Sequence, residues 1–283
     1  MVGGGYVGLE QAQLFAHLGA QVSLVGRLAP RAEPELASAL RKVFEQDGIT
    51  MVDDPATAIE QVAGQTEVIT ATGRRVPGQR LLLATGRSPR TATLNLAAAA
   101  VTTDARGFVV VDDRQRTSNP KVFAAGDVSG APQFVYVAAM AGKVAAWNAL
   151  GRNEHVDYAG LPAVTFTHPQ LASAGLTEAQ ALDQGFRCSC RLLELADVPR
   201  ALANRDTRGG IKVVADGDTG RVLGVHALAE GAGEMMLAAT YAIKAGFTVD
   251  QVADTWAPYL TMAEGIRIAA GLFRNELPTS CCA

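Results

Sequence analysis

Residues that announce specialised chemistry by abundance are scarce in this chain. Among 283 residues there are four cysteines, four histidines and two tryptophans, and aromatic residues make up 6%. The cysteines fall in two clusters, Cys188/Cys190 and Cys281/Cys282, too few and too close together for a disulfide scaffold. They are read as ligands, redox groups or packing residues. Long hydrophobic runs are missing as well. A stretch such as Val135 to Ala141 falls far short of the roughly 20 residues that span a bilayer, and the N-terminus has neither the charged nor the apolar region of a signal peptide. Charge of one sign is not in excess: 25 Lys and Arg face 28 Asp and Glu, for a formal net charge of -3. No basic block interrupts this balance, so nucleic acid and anionic membrane are not expected partners, and the expected location is the cytoplasm. Internal repeats, low-complexity tracts and Pro/Gly/Ser linkers are also lacking.

What is present is a 48% hydrophobic content over a length sufficient for a buried core and two domains. After Gly3-Gly4-Gly5-Tyr6-Val7-Gly8, the apolar residues Leu9, Ala12, Leu14, Phe15 and Leu18 recur at helical spacing up to Gly19, and Val22 to Val25 reads as a buried strand. A second helix is expected from about Pro34 to Asp47, then strands at Ile49 to Val52, Glu67 to Thr70 and Arg80 to Ala84. This makes residues 1–86 a Rossmann-like α/β domain. A dinucleotide turn ordinarily follows a buried strand, and only Met1 and Val2 precede these glycines, so the chain is expected to begin inside a structural unit. Residues 87–153, with strands at Gly107 to Val111 and Lys121 to Ala125 and a helix from Gln133 to Leu150, read as the returning half of a second domain. Residues 154–283 read as a separate α+β domain: strands at Ala163 to Phe166, Ser189 to Leu195, Ile211 to Val214 and Arg221 to Ala227, then helices at Gly233 to Ala245 and Thr261 to Phe273.

The glycines at 3, 5 and 8 suit a tight turn, close approach of a pyrophosphate and close helix-to-strand packing, with a helix N-terminus facing the phosphates. The strand that follows ends in Gly26-Arg27, where an NAD-binding chain carries an acid for the ribose 2′-hydroxyl. With no carboxylate there and Arg27 and Arg31 at hand, a 2′-phosphate is neutralised, which favours NADPH over NADH.

Three strings, GGGYVGLE, LLLATGRSPRT and TSNPKVFAAGDV, resemble the pyridine nucleotide-disulfide oxidoreductases, flavoenzymes that pass electrons from NAD(P)H through FAD to a cysteine pair. The resemblance implies an FAD contact from Gly126 and Asp127 to the ribityl chain, and a return from the nucleotide domain at Gly86. It also implies that the helix after Gln133 points its positive end at the flavin, with backbone donors at Phe134 and Val135. Tyr6 would gate the nicotinamide pocket. Glu10, placed on the first turn of its helix, would lie near the carboxamide.

The string PYLTMAEG narrows the resemblance to the mercuric reductases. Thiol-handling members of the family have a His, as general acid-base, where this chain has Tyr259, with Glu264 five residues on. A phenol with an ordinary pKa of about 10 does not replace that base near neutral pH. In mercuric reductases this tyrosine lies near the metal, and a vicinal cysteine pair sits on a C-terminal tail, matched here by Cys281 and Cys282. Mercury(II), the implied substrate, is a soft cation whose natural ligands are paired thiolates. Tyr259, Cys281 and Cys282 are therefore the expected metal contacts, within a homodimer formed through residues 154–283. Cys188 and Cys190 match no motif of the family and would share one face of a strand, where a packing role is preferred to a metal site. His17, His155, His168 and His226 show no ligand spacing. Neither an FAD-adenosine turn nor the family's redox cysteine pair is found in the chain, so alone it is not expected to pass electrons to mercury. Two alternatives stay open: another FAD-dependent disulfide oxidoreductase of dihydrolipoyl dehydrogenase type, and a non-catalytic nucleotide-binding or mercury-sequestering fragment.

Overall fold

The structure is a computed structural model and describes residues 1–276. It divides into two compact units, one made of Met1–Thr85 with the stretch from Ala159 onward, the other of Gly86–Tyr158.

In the first unit the glycine turn leads into α1 (Tyr6–His17), followed by β1 (Ser23–Val25), α2 (Pro34–Gln46) and β2 (Thr50–Val52). β1 and β2 pair in parallel, and Val2 bridges in parallel to both Val25 and Leu83, so the first turns of chain form a βαβ start. α2 begins with Pro34, whose missing N–H costs nothing at a helix start, and carries Glu35 in its first turn, favoured by the helix dipole. Leu36, Leu40, Val43 and Phe44 recur on one face of α2 and are buried against Leu9, Ala12, Leu24 and Ile49. An antiparallel meander follows: β3 (Ala56–Val62), β4 (Gln65–Thr70) and β5 (Arg75–Gly78). Only the middle strand was expected. β3 is exposed along almost its whole length, so no apolar alternation marks it, and its hairpin is closed by Ala63-Gly64, both at positive φ (49° and 81°). The expected strand at Arg80 to Ala84 is reduced to the single bridge at Leu83.

The second unit contains one long helix, α3 (Val135–Ala149), and loops. Its expected strands at Gly107 to Val111 and Lys121 to Ala125 form only isolated bridges, Thr103 to Val109 and Arg116 to Phe123. A strand needs a continuous neighbour for its backbone groups, and among the described residues these segments meet none. Local bonds take over: Asp104 Oδ1 accepts from the amides of Arg106 and Phe108, and Asp112 Oδ1 from those of Arg114 and Arg116. Asn148 fastens the end of α3 to these loops, donating to Arg114 O and Glu154 O and accepting from Glu154 N.

Returning to the first unit, the chain forms a five-stranded antiparallel sheet from β6 (Pro162–Thr165), β7 (Gln170–Gly175), β8 (Cys188–Glu194), β9 (Gly210–Asp216) and β10 (Val222–Ala229), in the order β6-β7-β10-β9-β8. Five helices accompany it: α4 (Glu178–Asp183), α5 (Pro199–Asn204), α6 (Ala232–Ala245), α7 (Val249–Ala253) and α8 (Glu264–Gly271). One face of the sheet, through Leu193, Ile211, Val213, Val225 and Ala227, packs on Met235, Met236, Ala239 and Ile266. Leu171 and Leu228 on the other face join the core of α1 and α2. Burial on both faces explains why β9 reads as an unbroken apolar run rather than an alternating one. The observed architecture agrees with the α/β plus α+β class. β7, made largely of small residues, and the short α4, α5 and α7 were not expected. Among the described residues no helix is long and apolar enough to cross a membrane.

Phe44, fully buried, sits at the centre of the α1/α2 core. Phe44→Ala is expected to cost about 3–5 kcal/mol of unfolding free energy in urea titrations. Leu18→Ala, on a side chain 73% exposed, should stay within about 0.5 kcal/mol. Equal losses at the two sites would contradict this packing.

Candidate functional site: glycine turn, arginine loop and an open helix start

The turn between the Val2 bridge and α1 is closed by backbone bonds: Gly3 N donates to Val25 O at 2.9 Å and Ala29 N to Gly4 O at 2.9 Å. Gly3 has φ +107°, and a Cβ there would run into Ala84 O. A Cβ at Gly4 would overlap Arg27 O, and one at Gly8 would overlap Gly3 O. Gly5 differs, for a Cβ at that position meets nothing within 4 Å. Three glycines therefore serve close packing of backbone on backbone, and the fourth faces open space in front of α1. Gly5 is also the N-cap of α1, which has no side-chain cap and no acid in its first turn. The positive end of α1 is thus left uncompensated beside a gap that a side chain would fill, an arrangement suited to a phosphate group.

Tyr6 is the first helical residue. Glu10 lies on the second turn of α1, not the first, because the helix starts at Tyr6, and it is held by a tertiary contact: its Oε1 accepts from Phe166 N at 2.9 Å. Gln13, on the same helix and buried, grips the same segment, its Nε2 donating to His168 O at 2.8 Å and its Oε1 accepting from His168 N at 2.7 Å. β1 ends at Gly26, φ +115°. Arg27 and Arg31 follow, both exposed, in a loop whose Leu28 and Ala29 are buried, and among the described residues neither arginine has a hydrogen bond or ion pair. A shallow hollow of about 430 Å³ beside Arg27 is lined by Arg27, Leu28, Pro34, Arg41 and Asp53, and Arg31 takes no part in its lining. Arg41 is paired with Asp53, which leaves Arg27 as the cation available there.

In the second unit, Gly126 (φ +80°) lies against α3, where a Cβ would stand 3.1 Å from that of Ala138. This places the turn Gly126–Ser129 beside the start of α3. Asp127 has its side chain 54% exposed, 3.9 Å from Arg87 Nη1, and the same Arg87 atom donates to Gln133 Oε1 at 3.5 Å. α3 has Phe134 as an extended N-cap, no side-chain cap and no acid in its first turn, and Val135 is 86% exposed. The rings of Phe134 and Tyr136 stack at 5.2 Å. Gly86, φ +120°, has open space around it. Asp127, Phe134 and Val135 thus come together at a second open helix start.

Tyr259 is more than half exposed in the loop before α8, and Glu264 is the buried first residue of α8. Glu264 Oε1 accepts from Arg267 Nη2 at 3.2 Å, and its Oε2 has no partner among the described residues. Cys281 and Cys282 lie outside the described residues. Cys188 and Cys190 sit half-buried on β8, both beside Glu178, with Cys188 Sγ 3.8 Å from Glu178 O. Burial and the neighbouring Glu178 carboxylate push the Cys190 thiol up to about 12, and the same causes raise Cys188.

One feature escaped sequence reasoning altogether. Lys212, on β9, is buried and bonded to Glu33, Glu35 and Glu178, with His226 beside it. The signal was present as a lone lysine inside the apolar run Gly210-Ile211-Lys212-Val213-Val214, which a two-sided buried strand tolerates only when the charge is matched.

The glycine turn, the arginine loop and the α+β sheet behind them define a class. The family model for the pyridine nucleotide-disulphide oxidoreductases matches residues 1–142, and that family's dimerisation domain matches residues 161–270. The chain belongs to this family. Within it, the chain is 50% identical to a mercuric reductase of Streptomyces lividans, with all of this chain and 61% of the relative aligned. It is 43% identical to a mercuric reductase of Lysinibacillus sphaericus and 44% to one of Bacillus cereus, again with all of this chain but 54% and 46% of those proteins aligned. The chain therefore spans about half the length of such relatives. Among solved structures it resembles LpdA of Mycobacterium tuberculosis (TM-score 0.86, 27% identity, 96% of this chain and 60% of that one). It also resembles the HOCl-induced flavoprotein disulfide reductase RclA of Escherichia coli (TM-score 0.85, 29% identity, 96% and 63%).

The different surroundings of Gly5 and Gly8 predict opposite outcomes for the same substitution. Gly8→Ala should destabilise the chain by more than about 3 kcal/mol, because backbone must move. Gly5→Ala should cost about 1 kcal/mol or less, the loss of a favoured N-cap residue with no steric clash. Thermal unfolding of both variants checks this, and a stable Gly8→Ala protein would contradict the geometry of the turn.

Proposed function

We propose that this chain forms the nucleotide-binding, partial flavin-binding and dimerisation part of a cytoplasmic, NADPH-dependent flavoenzyme that reduces mercury(II) to elemental mercury. The observation that carries the proposal is the alignment of the whole chain with mercuric reductases at 40–50% identity, joined to Tyr259 in the place of a histidine base and to the vicinal Cys281 and Cys282. The structural likeness to a flavoprotein disulfide reductase favours a second reading, another disulfide oxidoreductase. The missing histidine weighs against it.

In this reading residues 1–86 hold NADPH. The amides at the start of α1 face the pyrophosphate across the space in front of Gly5, and Gly3 and Gly8 keep helix and strand close enough for that approach. Arg27 and Arg31 take the 2′-phosphate, free of competing carboxylates. Tyr6 covers the nicotinamide pocket, with Glu10, fixed by the Phe166 amide, near the carboxamide. Residues 87–153 supply part of the FAD site. Gly86 starts the return to it, Gly126 allows Asp127 to reach the ribityl hydroxyls, and the amides of Phe134 and Val135 present the positive end of α3 to the flavin's pyrimidine edge. The open, uncapped start of α3 fits that role. FAD, when bound, supplies two-electron transfer from reduced nicotinamide toward the metal site. In the net reaction mercury(II) takes the two electrons of the hydride, and one proton is released to solvent.

Residues 154–283 form the homodimer interface, with the tail of one subunit serving the site of the other. Cys281 and Cys282 collect mercury(II) as a dithiolate, the second sulfur binding intramolecularly once the first has bound. Tyr259 contacts the ion in the inner site, and Glu264 anchors the start of α8 beneath it. Small molecules and the metal are the proposed ligands, with no role for nucleic acid or membrane.

Steady-state kinetics of the protein at full family length test the reading. Mercury(II)-dependent oxidation should show kcat/KM for NADPH about tenfold or more above that for NADH, the order of one or two charge-assisted bonds to a phosphate. A preference for NADH would overturn the cofactor assignment. Replacing both cysteines, Cys281→Ala with Cys282→Ala, should slow turnover chiefly when mercury arrives bound by two bulky thiols, while halide complexes still react. Unchanged rates with thiol-bound mercury would remove the tail from the delivery route. Tyr259→Phe should lower mercury turnover without abolishing NADPH oxidation by an artificial electron acceptor, since the hydride path does not pass through the phenol. Loss of both activities would place Tyr259 in the nucleotide half-reaction instead.

A further inference from the structure

Lys212 is 2% exposed. Its Nζ donates to Glu33 Oε2, Glu35 Oε1 and Glu178 Oε2, each at 2.8 Å. Glu33 is 1% exposed, and its second oxygen accepts from Glu178 N at 2.7 Å. His226 stands directly across the strand pair from Lys212, its Nε2 2.9 Å from Leu176 O and 3.8 Å from Glu33 Oε1. Burial lowers the His226 pKa and keeps the ring neutral near pH 7, so it donates to the carbonyl and adds no positive charge. One cation thus balances three carboxylates. Burial alone would pull the lysine pKa down, yet the bonds to Glu178, Glu33 and Glu35 outweigh it and leave the pKa raised, so the charge stays on at any working pH.

The position of Glu33 in the chain gives this cluster a consequence for ligand binding. Glu33 immediately precedes α2, at the end of the loop that begins at Gly26 and carries Arg27 and Arg31. That loop is fastened at its start by Gly26 N to Val52 O and Ala29 N to Gly4 O, both 2.9 Å. At its far end the Glu33 side chain is the fastening. Arg27 lies within the first fastening, packed on Gly4 and followed by the buried Leu28 and Ala29, whereas Arg31 lies between that fastening and Glu33, and neither arginine side chain has a partner among the described residues. Without Lys212 the buried Glu33 carboxylate would face Glu35 and Glu178 uncompensated, a costly state relieved by moving Glu33 outward and the loop with it. A buried ion pair is weak evidence for stability as such, since a well-packed apolar substitute often serves as well. Its value here is that it sets a position.

We propose that Lys212 is a positioning residue for the dinucleotide site: by holding Glu33 from the neighbouring sheet it fixes the far half of the loop, from Ala29 to Glu33, and so sets Arg31 beside the independently held Arg27 for a ribose 2′-phosphate. The proposal rests on the reading of those arginines given above.

Calorimetric titration of the full chain with adenosine 2′,5′-bisphosphate and with 5′-AMP tests it. The wild type should bind the bisphosphate more tightly. Lys212→Met should lose about tenfold in affinity for the bisphosphate, the order of one charge-assisted phosphate contact, with less than about threefold change for 5′-AMP, whose phosphate meets the untouched glycine turn. Glu33→Gln keeps the shape of the side chain and guards against a misfolded lysine variant. Glu33 accepts at both oxygens, whereas a glutamine can accept at one, so one anchor is released, and the same preference should shrink. A lowered melting temperature with the bisphosphate preference intact in either folded variant would overturn the positioning role and leave Lys212 a structural residue. A wild type that does not distinguish the two nucleotides would overturn the arginine reading, and the role of Lys212 with it.

Discussion

At the start of the chain three backbone segments approach more closely than any side chain allows. Gly8 of α1 lies on Gly3, Gly3 on Ala84, and Gly4 on Arg27. The contact is steric, and it orders what surrounds it. Because α1 can sit no other way, its uncapped end points across Gly5 into open space, and because Gly4 touches Arg27, the loop carrying the two arginines runs along the same opening. A Cβ at any of the three crowded positions would separate helix, strand and loop together. Four consecutive or nearly consecutive glycines are entropically expensive in an unfolded chain, and the dense α1/α2 core of Leu9, Leu24, Leu40 and Phe44 offsets that cost.

The same opening is held from behind by polar contacts with the large sheet. α1 is tied to the Phe166–His168 segment through Glu10 and Gln13, and Gln13 also donates to Asp47 at the end of α2. α2 is tied at its other end through Glu33 to Lys212. Each helix thus has an anchor on the sheet besides its apolar face. Apolar burial through Leu171 and Leu228 supplies attraction without direction. The hydrogen bonds supply the register, since a shift of one helical turn would leave Gln13 and Glu33 buried and unpaired.

Parts of the fold that rest on periodicity or on glycine chemistry were legible in the sequence. α1, α2, α3, α6 and α8 follow from apolar spacing, and the turn at Gly3 to Gly8 from the pattern of glycines, each within a few residues of its observed limits. The parts that rest on partners were not. β3 is almost wholly exposed and the four-residue β5 is half-exposed, both are held by cross-strand bonds, and neither shows an apolar alternation long enough to mark it in the sequence. The segments around Val109 and Phe123 have the composition of strands but find no continuous neighbour among the described residues. Glu10 was placed a turn too early, because the helix begins at Tyr6, and its carboxylate accepts from the distant Phe166 amide, which no local pattern reveals. Lys212 shows the limit most sharply. Its charge in an apolar run was visible, but its three acids come from positions 33, 35 and 178, and only the fold brings them together.

That same group of acids bears on the thiols. Mercury(II) binds thiolate, so every cysteine in a protein proposed to handle it competes for the ion. Cys188 and Cys190 lie on one face of β8 against Glu178, and burial together with that negative neighbour raises both thiols, Cys190 to about 12. Glu178 is fixed in turn by Lys212, whose charge is spent on three carboxylates and does little to lower a nearby thiol. The electrostatic environment that holds the arginine loop in place therefore also makes the internal thiols poor ligands. Among the described residues, the availability of Cys188 and Cys190 as thiolates is therefore set by where the buried carboxylates lie, and not by any feature of the cysteines themselves.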